Sequence, residues 1–178
     1  LRYKNIFNFK GIQQEKNILV LGSIIESDTK FMLDSVKEFN YVIFKNHPVV
    51  EIKNFGKLPE NIKVSSESIF NLFENTKIAI VTSASGAGIE AVSCGVSVII
   101  LASQENLTSN PLVEKGRGKI WDIAFNANEI YNIYKKLIDY RAHNQTEIIE
   151  IADWYKDNFF VEPTEKNIVK VFELSMKK

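Results

Sequence analysis

The stretch that decides the fold covers residues 77–104 and reads KIAIVTSASGAGIEAVSCGVSVIILASQ. It predicts four elements in order: an apolar strand (Ile78–Val81), a turn of small residues (Thr82–Gly88), a short helix that ends at Gly95, and a second apolar strand (Val96–Leu101). Glu90, in the helix, is the one charged side chain between Lys77 and Glu105. Burying a carboxylate among apolar residues is costly without hydrogen-bond donors, so Glu90 needs a partner.

The rest of the chain continues this alternation of strands and helices. Further apolar strands are predicted at 17–21, 41–44, 61–64 and, at one edge, 120–125. Helices are predicted from Ser27 or Asp28 to Phe39, over 67–75 after Ser65 or Ser66, from Asn128 to Arg141, over 145–159 and over 164–176. This order predicts an α/β fold: a doubly wound, Rossmann-like parallel sheet of about six strands with C-terminal helices.

Length and composition restrict the organisation and the partners. Residues 1–16 are expected to be a lead-in or linker, 17–142 the Rossmann-like domain, and 143–178 helices packed on it. The chain has 22 Lys and Arg against 22 Asp and Glu, which argues against nucleic acid as a partner and requires a local site for any anion. No apolar run reaches the roughly 20 residues of a membrane span.

Cysteine content and the chain start bear on the compartment and on completeness. The lone Cys94 excludes an internal disulfide and a cysteine-built zinc site and suits a reducing compartment. With no signal peptide, a cytoplasmic protein is expected. The first residue, Leu1, indicates a piece of a longer protein. Neither a metal cluster nor a cofactor motif is found, so no metal or cofactor is predicted.

Several polar or small residues follow predicted strands. Parallel strands present their carboxyl ends, where ligands bind, at one rim of the sheet. This rule predicts that Gly22 and Ser23, Lys45, His47, and the turn from Ser83 to Gly88 lie together.

The Ser83–Gly88 turn has the composition of an anion site. With Ser85 as N-cap, Gly86 and Gly88 fall in the first helical turn, where a phosphate can approach main-chain N–H groups at the positive end of the helix. The alternative is that the glycines only allow close packing of helix and strand. The turn matches neither the dinucleotide fingerprint nor the nucleotide phosphate loop.

Glu90 lies too deep in the helix to close a capping box, which from Ser85 would require a carboxylate at the position of Gly88. Ribose hydroxyls would suit its carboxylate, and a backbone donor or lysine partner is the alternative.

His47 is the candidate catalytic residue, since it could hydrogen-bond a phosphate or a leaving group, and Arg117 is a possible phosphate ligand. Pro48 ends the second strand and presents His47 at its tip, with Lys45 nearby as a point charge. The alternative is an ordinary turn histidine. Arg117, between two glycines, could reach a phosphate at the rim or lie in a surface loop.

Two motifs resemble a known family. Residues 82–99 look like the C-terminal, donor-binding half of GT-B glycosyltransferases, where a Ser/Gly turn holds a nucleotide diphosphate and a glutamate holds the ribose. Residues 45–48, Lys-Asn-His-Pro, resemble the His-Pro motif of bacterial capsule and sialic acid transferases, of teichoic-acid polymerases and of UDP-sugar 2-epimerases. Ser97 departs from the pattern, which has proline there.

The resemblance implies a nucleotide-sugar substrate, with phosphate contacts from His47, Ser83, Ser85 and Gly86 and a ribose contact from Glu90. It implies that an N-terminal, acceptor-binding half is missing and that this fragment alone is inactive. The pathway it implies is synthesis of surface polysaccharide or lipopolysaccharide, compatible with peripheral membrane association of the full protein. A UDP-sugar 2-epimerase half and a non-catalytic α/β binding module are the alternatives.

Overall fold

The computed structural model describes residues 3–83, 85–105 and 107–172. Within these residues six strands form one sheet: β1 Asn17–Leu21, β2 Val42–Lys45, β3 Ile62–Val64, β4 Thr76–Thr82, β5 Ser97–Leu101 and β6 Trp121–Ala124. All neighbouring strands are parallel, in the order β3-β2-β1-β4-β5-β6. The predicted doubly wound, Rossmann-like sheet is confirmed.

Helices lie between most of the consecutive strands, before β1 and after β6. They are α1 Lys4–Phe7, α2 Glu26–Ser35, α3 Ile69–Phe73, α4 Gly86–Ser93, α5 Ala127–His143, α6 Gln145–Phe159 and α7 Glu165–Val171, with a 3-10 turn at Ile52–Phe55. The last helix is predicted over 164–176 and begins one residue later; positions 173–176 lie outside the described residues.

The core has two halves, one on each face of the sheet. In β1, Leu19 and Leu21 pack in the half that includes Ala91 of α4, whereas Ile18 and Val20 pack in the half that includes Met32 of α2. Successive strand residues point to opposite faces, so both sets are apolar because both faces are covered. This explains why the strands read as continuous apolar runs.

The start of α2 differs from the prediction. Its N-cap is Ile25, which makes no side-chain capping bond, rather than Ser27 or Asp28. Asp28 is buried and its Oδ1 accepts a hydrogen bond from Ser103 Oγ at 3.1 Å. The helix begins earlier because the Thr29 hydroxyl accepts from the Ser23 N–H at 2.9 Å, which organises the turn without an N-cap side chain.

Two other helix starts are also shifted. Helix α3 begins after Ser68, whose side chain accepts from the Asn71 N–H, instead of after Ser65 or Ser66. Helix α5 begins after Asn126, which accepts from the Glu129 N–H, instead of after Asn128. In both cases the side-chain oxygen satisfies an N–H three residues later, as an N-cap does.

Residues 3–16 pack on the core. They contain α1, whose Ile6 is 2% exposed, and the N–H groups of Gln13 and Gln14 donate to the Glu74 carbonyl. The expected lead-in is therefore attached to the sheet domain in its described part.

The two edge strands are short and charged. β3 has three residues with Lys63 at its centre, and β6 has four, including Asp122. Asp122 forms ion pairs with Arg117 at 3.4 Å and Lys136 at 3.2 Å.

Candidate functional site

A cleft of about 700 Å³ lies at the carboxyl ends of β1, β2 and β4. The strand order reverses between β1 and β4, and the helices that follow them, α2 and α4, pack on opposite faces of the sheet. The two turns diverge there, which is where ligands bind in doubly wound sheets. Its lining from the described residues is Tyr3, Asn5, Leu21–Ile25, Lys45–Pro48, Ser68–Phe70, Thr82, Ser83, Ser85–Ala87 and Glu90.

The β4–α4 turn presents the positive end of α4 to this cleft. Ser85 is the N-cap as predicted, yet its hydroxyl makes no capping bond. Ser83 lies beside it, with its N–H bonded to the Leu101 carbonyl at 3.1 Å. No acidic side chain lies in the first turn of α4, so the partial positive charge of the helix end is not offset there.

Gly86 and Gly88 have different surroundings, although the sequence predicts both in the first helical turn, open to a phosphate. A Cβ on Gly86 would meet no heavy atom within 4 Å, and Gly86 lines the cleft. A Cβ on Gly88 would touch Val81 Cγ2 at 3.5 Å, and the Gly88 N–H already donates to the Ser85 carbonyl at 3.1 Å. The open space at Gly86 belongs to the cleft, whereas Gly88 faces the sheet and is not brought to the site.

Glu90 lies one helical turn after Gly86 and lines the same cleft. Its side chain is buried, with 2% of the residue exposed. Positions four apart share a helix face, so Glu90 lies on the same face of α4 as Gly86, and both residues form part of the cleft wall. An acceptor group is thereby placed behind the positive helix end, an arrangement suited to a ligand that carries phosphate and hydroxyl groups.

The β2 tip places Lys45 and His47 on the other side of the cleft. Lys45 Nζ donates to the Ser66 carbonyl at 3.5 Å. His47 Nδ1 accepts from the Val49 N–H at 3.4 Å, so in the neutral imidazole the proton is on Nε2. The cleft therefore has an ammonium group and an imidazole N–H donor, both suited to phosphate oxygens.

The β1–α2 turn, with Gly22 and Ser23, completes the cleft as predicted. Gly22 allows a close approach: a Cβ there would lie 3.0 Å from His47 N. Ser23 is occupied by the turn, since its N–H donates to Thr29 Oγ1 and its Oγ accepts from the Ile25 N–H at 3.0 Å.

Arg117 is not brought to the cleft, contrary to the rim prediction. It precedes β6 and bridges to Trp121, the first residue of that strand, so it lies at the amino end. Its guanidinium bonds to Glu114 at 3.1 Å and Asp122 at 3.4 Å, and the Asp122 hydrogen bond is the main cause that raises the pKa of Arg117 above its usual value.

Some residues that line the cleft were not predicted from the sequence. Tyr3 and Asn5 come from the expected lead-in and carry no motif that would have marked them. Ser68 is the N-cap of α3, and its choice over Ser65 and Ser66 depends on the packing of the helix rather than on a local sequence signal. Asn46 lies inside the Lys-Asn-His-Pro motif, and its position beside His47 was the available signal.

A second cleft, of about 490 Å³, adjoins the first and shares Tyr3, Gly86 and Glu90 with it. The remaining wall is mostly apolar and comes from Ile89 of α4, the end of α6, α7 and the segment between α6 and α7. Tyr3 and Phe160 form an aromatic pair in this wall with ring centroids 5.1 Å apart.

Solved glycosyltransferases have this fold. The glycosyltransferase of kitacinnamycin matches with a TM-score of 0.60 at 16% identity, over 90% of this chain and 43% of its own. CalG4, the calicheamicin glycosyltransferase, matches with a TM-score of 0.59 at 13% identity, over 92% and 45%. The wall teichoic acid polymerase TagF matches with a TM-score of 0.53 at 14% identity, over 97% and 44%.

The chain has the fold of one domain of a GT-B glycosyltransferase. It spans less than half the length of each of these structures. No family model matches the sequence, and no curated protein matches it. Among the described residues, no helix combines the length and apolar character needed to cross a membrane.

Proposed function

We propose that this chain is the donor-binding half of a glycosyltransferase that uses a nucleotide-sugar. The observation that carries the proposal is the open N-terminus of α4, where Gly86 leaves space toward the cleft and no acidic side chain offsets the helix end. Such a terminus favours phosphate. The buried Glu90 in the same helix supplies the acceptor that ribose hydroxyls require.

The proposed chemistry is electrostatic. An acceptor hydroxyl attacks the anomeric carbon, the bond from that carbon to the diphosphate oxygen breaks, and the nucleoside diphosphate leaves with the electron pair. His47 Nε2–H, the Lys45 ammonium group and the first N–H groups of α4 stabilise the negative charge that develops on the leaving phosphate. Ser83 and Ser85 are the hydroxyl ligands proposed for the same phosphates.

We assign the acceptor site and the catalytic base to a further domain, because this chain spans less than half of the similar structures. The fragment alone is then expected to bind a nucleotide and to transfer no sugar. We place the full protein in the cytoplasmic synthesis of surface polysaccharide or lipopolysaccharide, on the strength of the Lys-Asn-His-Pro motif.

Two glycine variants test the phosphate site, one as the test variant and the other as its control. Gly86→Ala and Gly88→Ala both replace a helical glycine, and neither Cβ would come closer than 3.5 Å to a heavy atom outside its own helix. Each should maintain or raise stability, by up to about 1 kcal/mol. Titration calorimetry with UDP, CDP, CMP and GDP should show weaker binding for Gly86→Ala and unchanged binding for Gly88→Ala.

Failure of all four nucleotides to bind the unmodified chain would count against the proposal, as would equal affinities for both glycine variants. Glu90→Gln should weaken the binding of nucleotides that carry ribose more than the binding of inorganic diphosphate, since the contact assigned to Glu90 is with the ribose. Product analysis of the full-length protein separates the epimerase alternative, in which the sugar is epimerised without an acceptor.

A further inference from the structure

The turn that follows β2 holds the His47 side chain through main-chain groups. The Val50 N–H donates to the His47 carbonyl at 3.1 Å, and the Val49 N–H donates to His47 Nδ1 at 3.4 Å. Pro48 lies between them with a fixed φ. The orientation of the imidazole therefore depends on whether this turn stays closed.

Asn46 closes the turn from inside. Its Nδ2 donates to the Val50 carbonyl, so one side chain links the residue before His47 to the last residue of the turn. Asn46 Oδ1 is buried and accepts no hydrogen bond from the described residues. A buried amide oxygen without a donor costs about 1–3 kcal/mol, and the hydrogen bond from Asn46 Nδ2 to the Val50 carbonyl must offset that cost. Packing alone does not explain the asparagine.

Gly22 supports the same turn from the neighbouring strand. Its N–H donates to the Lys45 carbonyl at 2.9 Å. A Cβ on Gly22 would lie 3.0 Å from His47 N and 3.3 Å from Asn46 Cα, closer than side chains normally approach. The main chain at Asn46 and His47 is thus confined by β1 on one side and by the Asn46 amide on the other.

We propose that Asn46 is a positioning residue for His47. By holding the Val50 carbonyl it keeps the turn closed, so that Nδ1 accepts from the Val49 N–H and Nε2–H is available to the cleft. The benefit to a ligand rests on the proposed function of His47 as a phosphate contact. The hydrogen-bond arrangement itself does not, which allows the two to be tested separately.

The chain provides its own reference, because it has two histidines. His143 Nδ1 lies 2.8 Å from the Asp139 carbonyl, which can only accept, so the neutral His143 carries its proton on Nδ1. The two imidazoles are thus expected to be opposite tautomers. Long-range ¹H–¹⁵N NMR of the side chains, with both rings neutral, distinguishes Nε2–H from Nδ1–H at each.

The decisive variant is Asn46→Leu, which removes the amide and keeps the size. It should convert His47 from a single Nε2–H tautomer into a mixture and leave His143 unchanged. Asn61→Leu is the matched control, because Asn61 Nδ2 also bonds main-chain carbonyls, those of Val36 at 3.1 Å and Phe39 at 2.7 Å, but lies outside the cleft lining. It should leave both histidines unchanged.

Asn46→Asp provides the same test if the leucine variant does not fold, since it keeps the shape and replaces the donor by an acceptor. A single Nε2–H tautomer at His47 in whichever of these variants folds overturns the proposal. So does an unmodified chain in which His47 is not the Nε2–H tautomer.

A double-mutant cycle on nucleotide affinity adds the functional readout. His47→Ala and Asn46→Leu should each weaken the best nucleotide ligand by about tenfold, the loss expected for one hydrogen bond to a charged group. The double variant should be no weaker than His47→Ala, because Asn46 acts through His47. Independent, multiplying losses overturn the positioning role. Absence of nucleotide binding in the unmodified chain contradicts the proposed function, and the tautomer measurement still decides the role of Asn46.

Discussion

Two strand-to-helix turns lie side by side at the mouth of the cleft, one after β1 and one after β4. Their geometry is equivalent, since each leads a parallel strand into a helix whose N-terminus is at the rim. Their charges differ: the first turn of α2 has Glu26 and Asp28, and that of α4 has no acid. The two helix N-termini therefore have the same backbone arrangement but differ in side-chain charge, and the N-terminus without acidic side chains is the better site for an anion.

Hydrogen bonding separates the two turns further. After β1, the Ser23 N–H and hydroxyl are bonded within the turn, to Thr29 and Ile25. After β4, the Ser85 hydroxyl makes no capping bond and Gly86 opens into the cleft. These contacts favour a supporting role toward the β2 tip for the first turn, and they are the reason that we propose the second turn as the ligand site.

The largest effect is expected when the difference in charge is removed. Gly86→Asp would give α4 the acidic first turn that α2 has, at a position where an added Cβ meets no heavy atom within 4 Å. The aspartate should suit the helix end and repel phosphate, so nucleotide affinity should fall at least about tenfold with no loss of stability.

Gly86→Asn is the control for that experiment, since it has the same shape without the charge. The affinity ratio of the Asn and Asp variants, measured by calorimetry, should increase at low salt. Equal affinities would mean that the end of α4 does not contact a phosphate.

Thr29→Val tests the supporting turn. The change keeps the shape but removes the oxygen that accepts from the buried Ser23 N–H at 2.9 Å. The free energy of unfolding, from urea titration, should fall by about 1–3 kcal/mol. Thr29→Ser keeps the hydroxyl and should recover most of the loss. Weaker nucleotide binding at unchanged stability would show instead that this turn is part of the ligand site.

Glu26→Gln should have a smaller effect. Glu26 Oε1 accepts from Asn54 Nδ2 at 2.6 Å, and glutamine can retain this contact. Loss of the charge at the start of α2 should lower stability by about 0.3–1 kcal/mol and change nucleotide affinity less than about twofold. A large gain in affinity, measured by the same calorimetry, would contradict the assignment of phosphate to α4 alone.

The smallest effect is expected at the C-terminal end of α4, where the Cys94 thiol should stay unreactive in the folded chain. Cys94 is buried, and burial, with a further contribution from the Glu90 charge, raises the pKa of its thiol from 9.0 to about 12. The folded chain should show no measurable reaction with a thiol reagent at pH 8, whereas the chain in denaturant should react. Rapid reaction without denaturant would show that α4 opens locally.

The same shift in pKa has a consequence for stability. Because the folded state disfavours the thiolate, the stabilisation is fully present below pH 9 and is lost as the pH rises toward 12. Cys94→Ala should reduce the loss of stability over that range, which alkaline unfolding curves can measure.

The sequence was sufficient for the sheet and for most of the cleft. Apolar runs such as Ile78–Val81 predict strands because both faces of the sheet are covered, and the rule on carboxyl ends groups Gly22, His47 and Ser85 correctly. The Asn126–Glu129 spacing was a readable N-cap signal that the prediction missed. Arg117 was misplaced because it precedes its strand, and residues before a strand lie at the amino end.

Other features depend on how helices and turns pack in three dimensions, and they could not be predicted from the sequence. Whether Gly86 or Gly88 faces the cleft depends on the rotation of α4, which its packing on Val81 and Val98 determines. Ser65, Ser66 and Ser68 could each be the N-cap of α3. Ser68 is the N-cap in the structure, where the helix buries Phe70 and Phe73. The contact of Asn46 with Val50 requires a turn geometry that no local pattern specifies.

The charged sheet edges have a consequence for solubility. An exposed edge strand can pair with another molecule and start aggregation, and short length and charge oppose this. β3 offers only three residues around Lys63, and Asp122 of β6 is engaged by Arg117 and Lys136. An apolar substitution at Lys63 or Asp122 would lengthen the run of uncharged edge, and such a chain should form intermolecular sheet before it loses its fold.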